Sequence, residues 1–223
     1  MKILFLSVIF FNVSFCSINS DSTNNDRSGN SNYYYFDVFK KWTVDDYYHL
    51  LDSLKEYGTT DFFKLRITYT NTNDYEPYDD EFEDPFNPVY DFIDSQKYSD
   101  AISILDSLLE KCYVNIKAHL YCGYVYKLIG DSIQSKYHYD IYDGLIESIL
   151  NYGDGSVPEK AFIVIFVEEE YLLLDAVNMT MGNQGLRSID GHSFDVLTVY
   201  DKNAEEEREL YFNIDLLSKK WII

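Results

Sequence analysis

A chain of 223 residues, 46% hydrophobic and 25% charged, has length enough for one or two domains with a sizeable core. Its formal charge of −20 repels phosphate backbones and disfavours anionic lipid, which argues against nucleic acid as a partner; it would attract basic peptides or cations, but a solvated, solubilising surface needs no partner at all. Aromatic residues reach 17%, with 22 Tyr and 15 Phe, a composition that suits half-buried helix faces and binding surfaces.

Residues 1–16 read as a secretory signal peptide. Lys2 is its charged start, Ile3 to Phe11 is almost wholly apolar, and Ser14 and Cys16 are the small residues of a cleavage site. The apolar run is too short to span a bilayer. Val13-Ser14-Phe15-Cys16 is also similar to a lipoprotein box, with Phe15 in place of a small residue, so a lipid anchor at Cys16 is the second option. Either way the expected location is secreted, periplasmic or envelope-associated, with no transmembrane segment in the mature chain. Residues 17–32 hold Ser, Asn and Asp with almost nothing apolar and are expected to form a disordered linker.

From 33 to 152 the pattern is helical, beginning at Tyr33-Tyr34-Tyr35-Phe36. Thr43 with Asp46 three residues on has the form of a capping box, and Gly58 closes the helix it opens. Phe62 to Tyr69 is expected to be helical, although its alternation also fits a strand. Asn71 to Pro88 is a loop with seven acids between Asp74 and Asp84 but no calcium-binding ladder of alternating carboxylates. Val89 to Gln96 leads into two apolar stripes: Ala101, Ile104, Leu105, Leu108, Leu109, and then Ala118, Tyr121, Cys122, Val125, Tyr126, Ile129. Gly130-Asp131 stops one helix and starts the next, whose Tyr137, Ile141, Leu145 and Ile149 share a side. Ala101, Leu105 and Leu108 recur after 34 residues as Ser135, Tyr139 and Tyr142, the period of a tetratricopeptide hairpin.

Residues 158–223 change texture. Ala161 to Val167 reads as a strand buried on both faces, Glu168 to Met181 as a helix, and Gly182 to Gly185 as a turn. Shorter strands follow at Gly185–Ile189, Phe194–Tyr200 and Glu209–Ile214, with a charged turn between Lys202 and Arg208. The fold class expected is therefore α+β: tetratricopeptide-like helical hairpins followed by a small, mostly antiparallel β-sheet subdomain.

Motifs spread in order along the chain give it a resemblance to the family called domain of unknown function 4919. They include Tyr48-His49-Leu50-Leu51, Gly58-Thr59-Thr60, Tyr75-Glu76-Pro77-Tyr78, Ala101-Ile102 with Leu105-Asp106, and Ile116-Lys117-Ala118. Gly130-Asp131, Gly153-Asp154-Gly155 before Ala161-Phe162, and Leu210-Tyr211-Phe212-Asn213-Ile214 continue the series. The resemblance implies secreted helical repeats ahead of a small sheet and carries over no catalytic residue. The chain departs from the family pattern at Glu76, where asparagine is usual, and at Cys112-Tyr113-Val114-Asn115, where the family places Asn-Pro.

Residues that could carry chemistry are few and scattered. His119 and Cys122 lie at i and i+3 with His138 on the next helix, short of the ligands a metal needs. Asp190, His192, Ser193 and Asp195 gather in one turn without a nucleophile elbow. No catalytic residue, metal or cofactor is assigned. The expected role is a protein or peptide interaction module whose surface includes Tyr121, Tyr124, Tyr137 and Tyr139. The alternative is an enzyme with a site between the helices and the sheet. Cys112 and Cys122 are expected to be buried and unpaired, because their places on neighbouring helices put them beyond disulfide reach.

Overall fold

A computed structural model describes residues 39–78, 84–201 and 207–218. The expected signal peptide, Cys16, the linker and the Tyr33–Phe36 start lie outside the described residues. So do the centre of the charged turn at 202–206 and the tail from 219.

Local sequence fixes the helix ends. Helix α1 (Val44–Tyr57) opens on the capping box: Thr43 Oγ1 accepts from the Asp46 amide, and Asp46 accepts from the Thr43 amide. It closes on Gly58, whose φ of 74° is the left-handed turn glycine takes most readily. Asp61 caps α2 (Phe62–Tyr69). This helix buries Phe63, Leu65, Arg66, Ile67, Thr68 and Tyr69, and burial on all sides is why its sequence shows no clear helical stripe. Then come α3 (Asn87–Asp94), α4 (Tyr98–Lys111), α5 (Ile116–Ile129) and α6 (Ser132–Leu150). Asn115 caps α5, Gly130 ends it, and Asp131 caps α6.

The helices pack in two clusters. Phe86, Val89, Ala101, Leu105, Leu109, Ala118, Cys122 and Val125 join α3, α4 and α5. Cys122 is buried there, Cys112 is half-buried, and both thiols are unpaired. Ile141, Leu145 and Ile149 of α6 instead join α1 and α2 to the sheet. Among the described residues no helix is long and apolar enough to cross a membrane.

The C-terminal part departs from expectation in three places. Ala161 to Ile165 are fully buried, but only Phe162–Ile163 (β1) form a strand. The chain then turns, because the Ile165 amide donates to Glu169 Oε2 at 2.8 Å at the start of α7 (Glu168–Ala176). That helix stops at Ala176, and strand β2 (Met179–Ile189) has already begun where helix was expected. Gly182 to Gly185 is no turn: it lies within β2, where the register shifts between Met181 and Gln184. Gly182 is accommodated close beneath the Tyr200 ring, whose Cε2 lies 2.7 Å from where a Cβ would stand.

Strands β3 (His192–Asp201) and β4 (Glu207–Asn213) complete a sheet of order β1-β4-β3-β2. It is mixed: β1 runs parallel to β4 and the other pairs are antiparallel. The sheet is thus α+β in placement, gathered after the helices. The polar run at Asp190 is a two-residue hairpin turn, with Asp190 and Gly191 at φ of 51° and 83°. Alternation sends Leu197, Val199, Leu210 and Phe212 to the helical core, and Phe194, Val196 and Tyr211 to a second cluster with Ala161.

A tyrosine-lined groove as the candidate functional site

Helices α1, α4, α5 and α6 leave a groove of about 480 Å³ between them. Tyr47, Tyr48, Leu51 and Lys55 come from α1, and Asp106, Leu109, Glu110 and Lys111 from α4. Tyr113, Tyr126, Gln134, Tyr137 and His138 form the opposite side, with Tyr69 and Asp74 at one end. The 3.6-residue repeat of α1 places Tyr47 and Leu51 on one face, and Tyr48 stands half exposed beside them.

The tyrosines hold one another. Tyr47 meets Tyr48 edge-on at 5.3 Å and Tyr69 at 5.4 Å. The Tyr69 hydroxyl donates to the carbonyls of Asp74 and Lys111, at 3.1 and 3.2 Å. Across the groove, the Tyr113 and Tyr137 hydroxyls are 2.8 Å apart, and Lys55 Nζ sits 4.8 Å above the Tyr113 ring. Burial raises Tyr47, Tyr69 and Tyr113 well above the usual phenol range, so these hydroxyls keep their protons.

His138 lines the groove, and His119 is buried behind it. His119 Nε2 lies 2.9 Å from the Tyr113 carbonyl, and His119 Nδ1 lies 3.0 Å from His138 Nδ1. The His138 ring stacks on Tyr126 at 5.5 Å and meets Tyr137 edge-on at 5.3 Å. Burial pushes His119 down to about 3 and His138 to about 4, so both rings are neutral at neutral pH. Among the described residues no three of His, Cys, Asp or Glu gather as a metal site.

The sequence profile of domain of unknown function 4919 matches residues 21–221. The chain belongs to this family. No curated protein and no solved structure matches it. Several residues of the family motifs serve the fold: Gly58 ends α1, Ala101 and Leu105 are core, and the Tyr75 hydroxyl donates to the Ile165 carbonyl at 2.8 Å. Of the loop from Cys112 to Asn115, Tyr113 reaches the groove. Tyr113 lines it, receives the His119 bond on its carbonyl, and precedes the Asn115 cap.

The four tyrosines singled out from sequence do not share one surface. Tyr137 alone of them lines the groove. Tyr121 turns to α3, its ring 5.9 Å from Phe86 and 5.3 Å from Tyr90. Tyr139 lies over Gly123, where a Cβ would stand 2.9 Å from its Cδ1, and Tyr124 is half-buried on α5. Tyr47, Tyr48, Tyr113 and Tyr126 were the ones sequence reading missed. Tyr126 was visible on the α5 stripe, but nothing in the spacing said that α1 would face it.

Acidic residues also converge at the helix–sheet junction, where an enzymatic site was the alternative. Arg66, Glu169 and Glu170 there are shut away from solvent, which suits packing and leaves the groove as the candidate site. The Asp195 beside them faces α7 because it shares the inward side of β3 with Leu197 and Val199.

Proposed function

We propose that this DUF4919 protein is an exported interaction module that holds a short segment of a partner polypeptide in the tyrosine groove. The observation carrying this reading is the convergence of Tyr47, Tyr48, Tyr113, Tyr126 and Tyr137 on one cleft. Tyrosine presents a large, stiff, half-apolar face at small entropic cost, which is why it recurs at binding hot spots. A volume of about 480 Å³ lies in the range of ligand-binding clefts and takes two or three side chains of an extended segment. Export rests on the leader at 1–16, with Cys16 as the lipidation option.

The test is selection from a random peptide library on the folded chain, followed by measured affinities. Tyr48→Ala removes an exposed ring and leaves the core alone, and should weaken the selected peptides by about tenfold. Leu186→Ala, at an exposed residue of β2 outside the groove's lining, should not. Equal binding to wild type and Tyr48→Ala would move the site elsewhere. N-terminal sequencing of envelope-fraction protein checks export; an intact Met1 there would refute it.

A further inference from the structure

The floor of the groove carries a chemical preference. A carbonyl only accepts, so His119 Nε2, 2.9 Å from the Tyr113 oxygen, must carry the ring proton and donate it. A neutral imidazole has one N–H, which leaves His119 Nδ1 as a lone pair. That lone pair lies 3.0 Å from His138 Nδ1, so His138 Nδ1 carries a proton and donates to it. The relay runs from one backbone carbonyl through two rings. It ends at His138 Nε2, a lone pair with no partner among the described residues. The His138 side is 6% exposed, and what remains open lines the groove.

We propose that His138 Nε2 is a preset hydrogen-bond acceptor that selects a lysine side chain in the groove's occupant. This rests on the peptide-binding reading above. Against the His138 ring stand Tyr126, stacked on it, and Tyr137, edge-on, and elsewhere on the groove's lining are the carboxylates of Asp106 and Glu110. Ring faces and carboxylates attract a cation. Of the two lysines on the groove, Lys55 is spent on the Tyr113 ring, and Lys111 belongs to the exposed end of α4. A single lone pair at the bottom of a cleft suits an ammonium on a long apolar stem better than the flat fork of arginine. An acidic side chain would meet a lone pair and two carboxylates.

His138→Asn separates the two halves of the relay. Its side-chain amide can take the place of Nδ1 and keep donating to His119, while the Nε2 acceptor is gone. Peptides selected on the wild-type chain should carry a lysine whose replacement by norleucine weakens binding about tenfold, the scale of a charge-assisted hydrogen bond. In His138→Asn that ratio should fall severalfold, the rings and the groove's carboxylates keeping a remainder, with the norleucine peptide bound as before. A ratio unchanged in His138→Asn overturns the proposal and leaves the groove reading standing. Failure of any peptide to bind overturns both. Long-range proton–nitrogen NMR on the wild-type chain gives an independent readout. Protons on His119 Nε2 and His138 Nδ1 are expected, and a proton on His138 Nε2 at neutral pH refutes the proposal whatever the peptides do.

Discussion

Two sides of α7 bury a carboxyl group, and they treat it in opposite ways. Glu169 faces α2 and β1. There Arg66 Nε donates to Oε1 at 3.0 Å and Nη2 to Oε2 at 2.5 Å, and the Ile165 amide adds a third bond at 2.8 Å. The rest of the guanidinium is spent on Ser148 Oγ and the Ile163 carbonyl, both at 3.2 Å. Glu170, the next residue, faces the sheet, and no N–H or O–H reaches either of its oxygens. Its neighbour is another carboxyl group, Asp195, so a hydrogen bond forms there only while Glu170 keeps its proton. Burial first, and Asp195 second, push it up to about 9. Neighbouring glutamates at similar depth thus meet opposite surroundings, because donors were supplied on one side only.

Removing the supplied donor should give the largest effect. Arg66→Met leaves Glu169 ionisable and shut in, and a buried pair broken on one side costs about 3–5 kcal/mol. Urea unfolding should show that loss. The double variant Arg66→Met/Glu169→Leu should recover much of it, since neither charge is then stranded. A neutral Arg66→Met would remove the contrast between the two sides. Ile165→Asp probes the same interior from β1's end. A charge at a fully buried site already beside Glu169 should cost several kcal/mol, and an unchanged urea midpoint would contradict the burial.

The Glu170 side sets a pH dependence of definite sign. Its folded-state value lies above the ordinary 4.5, so the folded chain holds a proton that the unfolded chain releases. Its contribution is complete below about 4.5 and is lost as pH rises towards about 9. Glutamine mimics the protonated carboxyl at every pH. Glu170→Gln should therefore match wild type near pH 4 and exceed it at pH 8 by several kcal/mol, at most about 5 kcal/mol. The difference between the two stability profiles isolates this group, and a flat difference would mean that Glu170 holds no extra proton in the folded chain.

Neither side was legible in the sequence, although the elements carrying them largely were. Thr43 with Asp46, Gly58, Gly130 and Asp131 marked helix ends because capping is local chemistry, complete within four residues. The apolar run Ala161–Val167 announced burial correctly but not conformation. What shortens β1 is Glu169 reaching back to the Ile165 amide, a bond that also needs Arg66 from 103 residues away. Likewise His119 and His138 were visibly on adjacent helices, yet their ring contact depends on how α5 and α6 slide past each other. Asp195 sat in an alternating strand whose inward side was readable, but nothing showed that Glu170 would lie across from it.

A second arginine–glutamate contact sharpens the comparison from its weakest end. Arg187 on β2 reaches across β3 to Glu209 on β4, with both guanidinium nitrogens engaged and the Tyr211 hydroxyl 2.9 Å away. In partner and geometry it is close to Arg66–Glu169. It differs in solvent: both side chains are 43% exposed, whereas Arg66 is fully buried. Water and salt already serve these charges when they part, so little is gained when they meet. Arg187→Gln should shift the urea midpoint the least of these variants, and any shift should shrink as salt is raised. Arg66→Met should show no such salt dependence, because ions do not reach its partner. Should Arg187→Gln cost as much as Arg66→Met, bidentate geometry rather than burial would govern both pairs, and Glu170 would need another explanation than its missing donor.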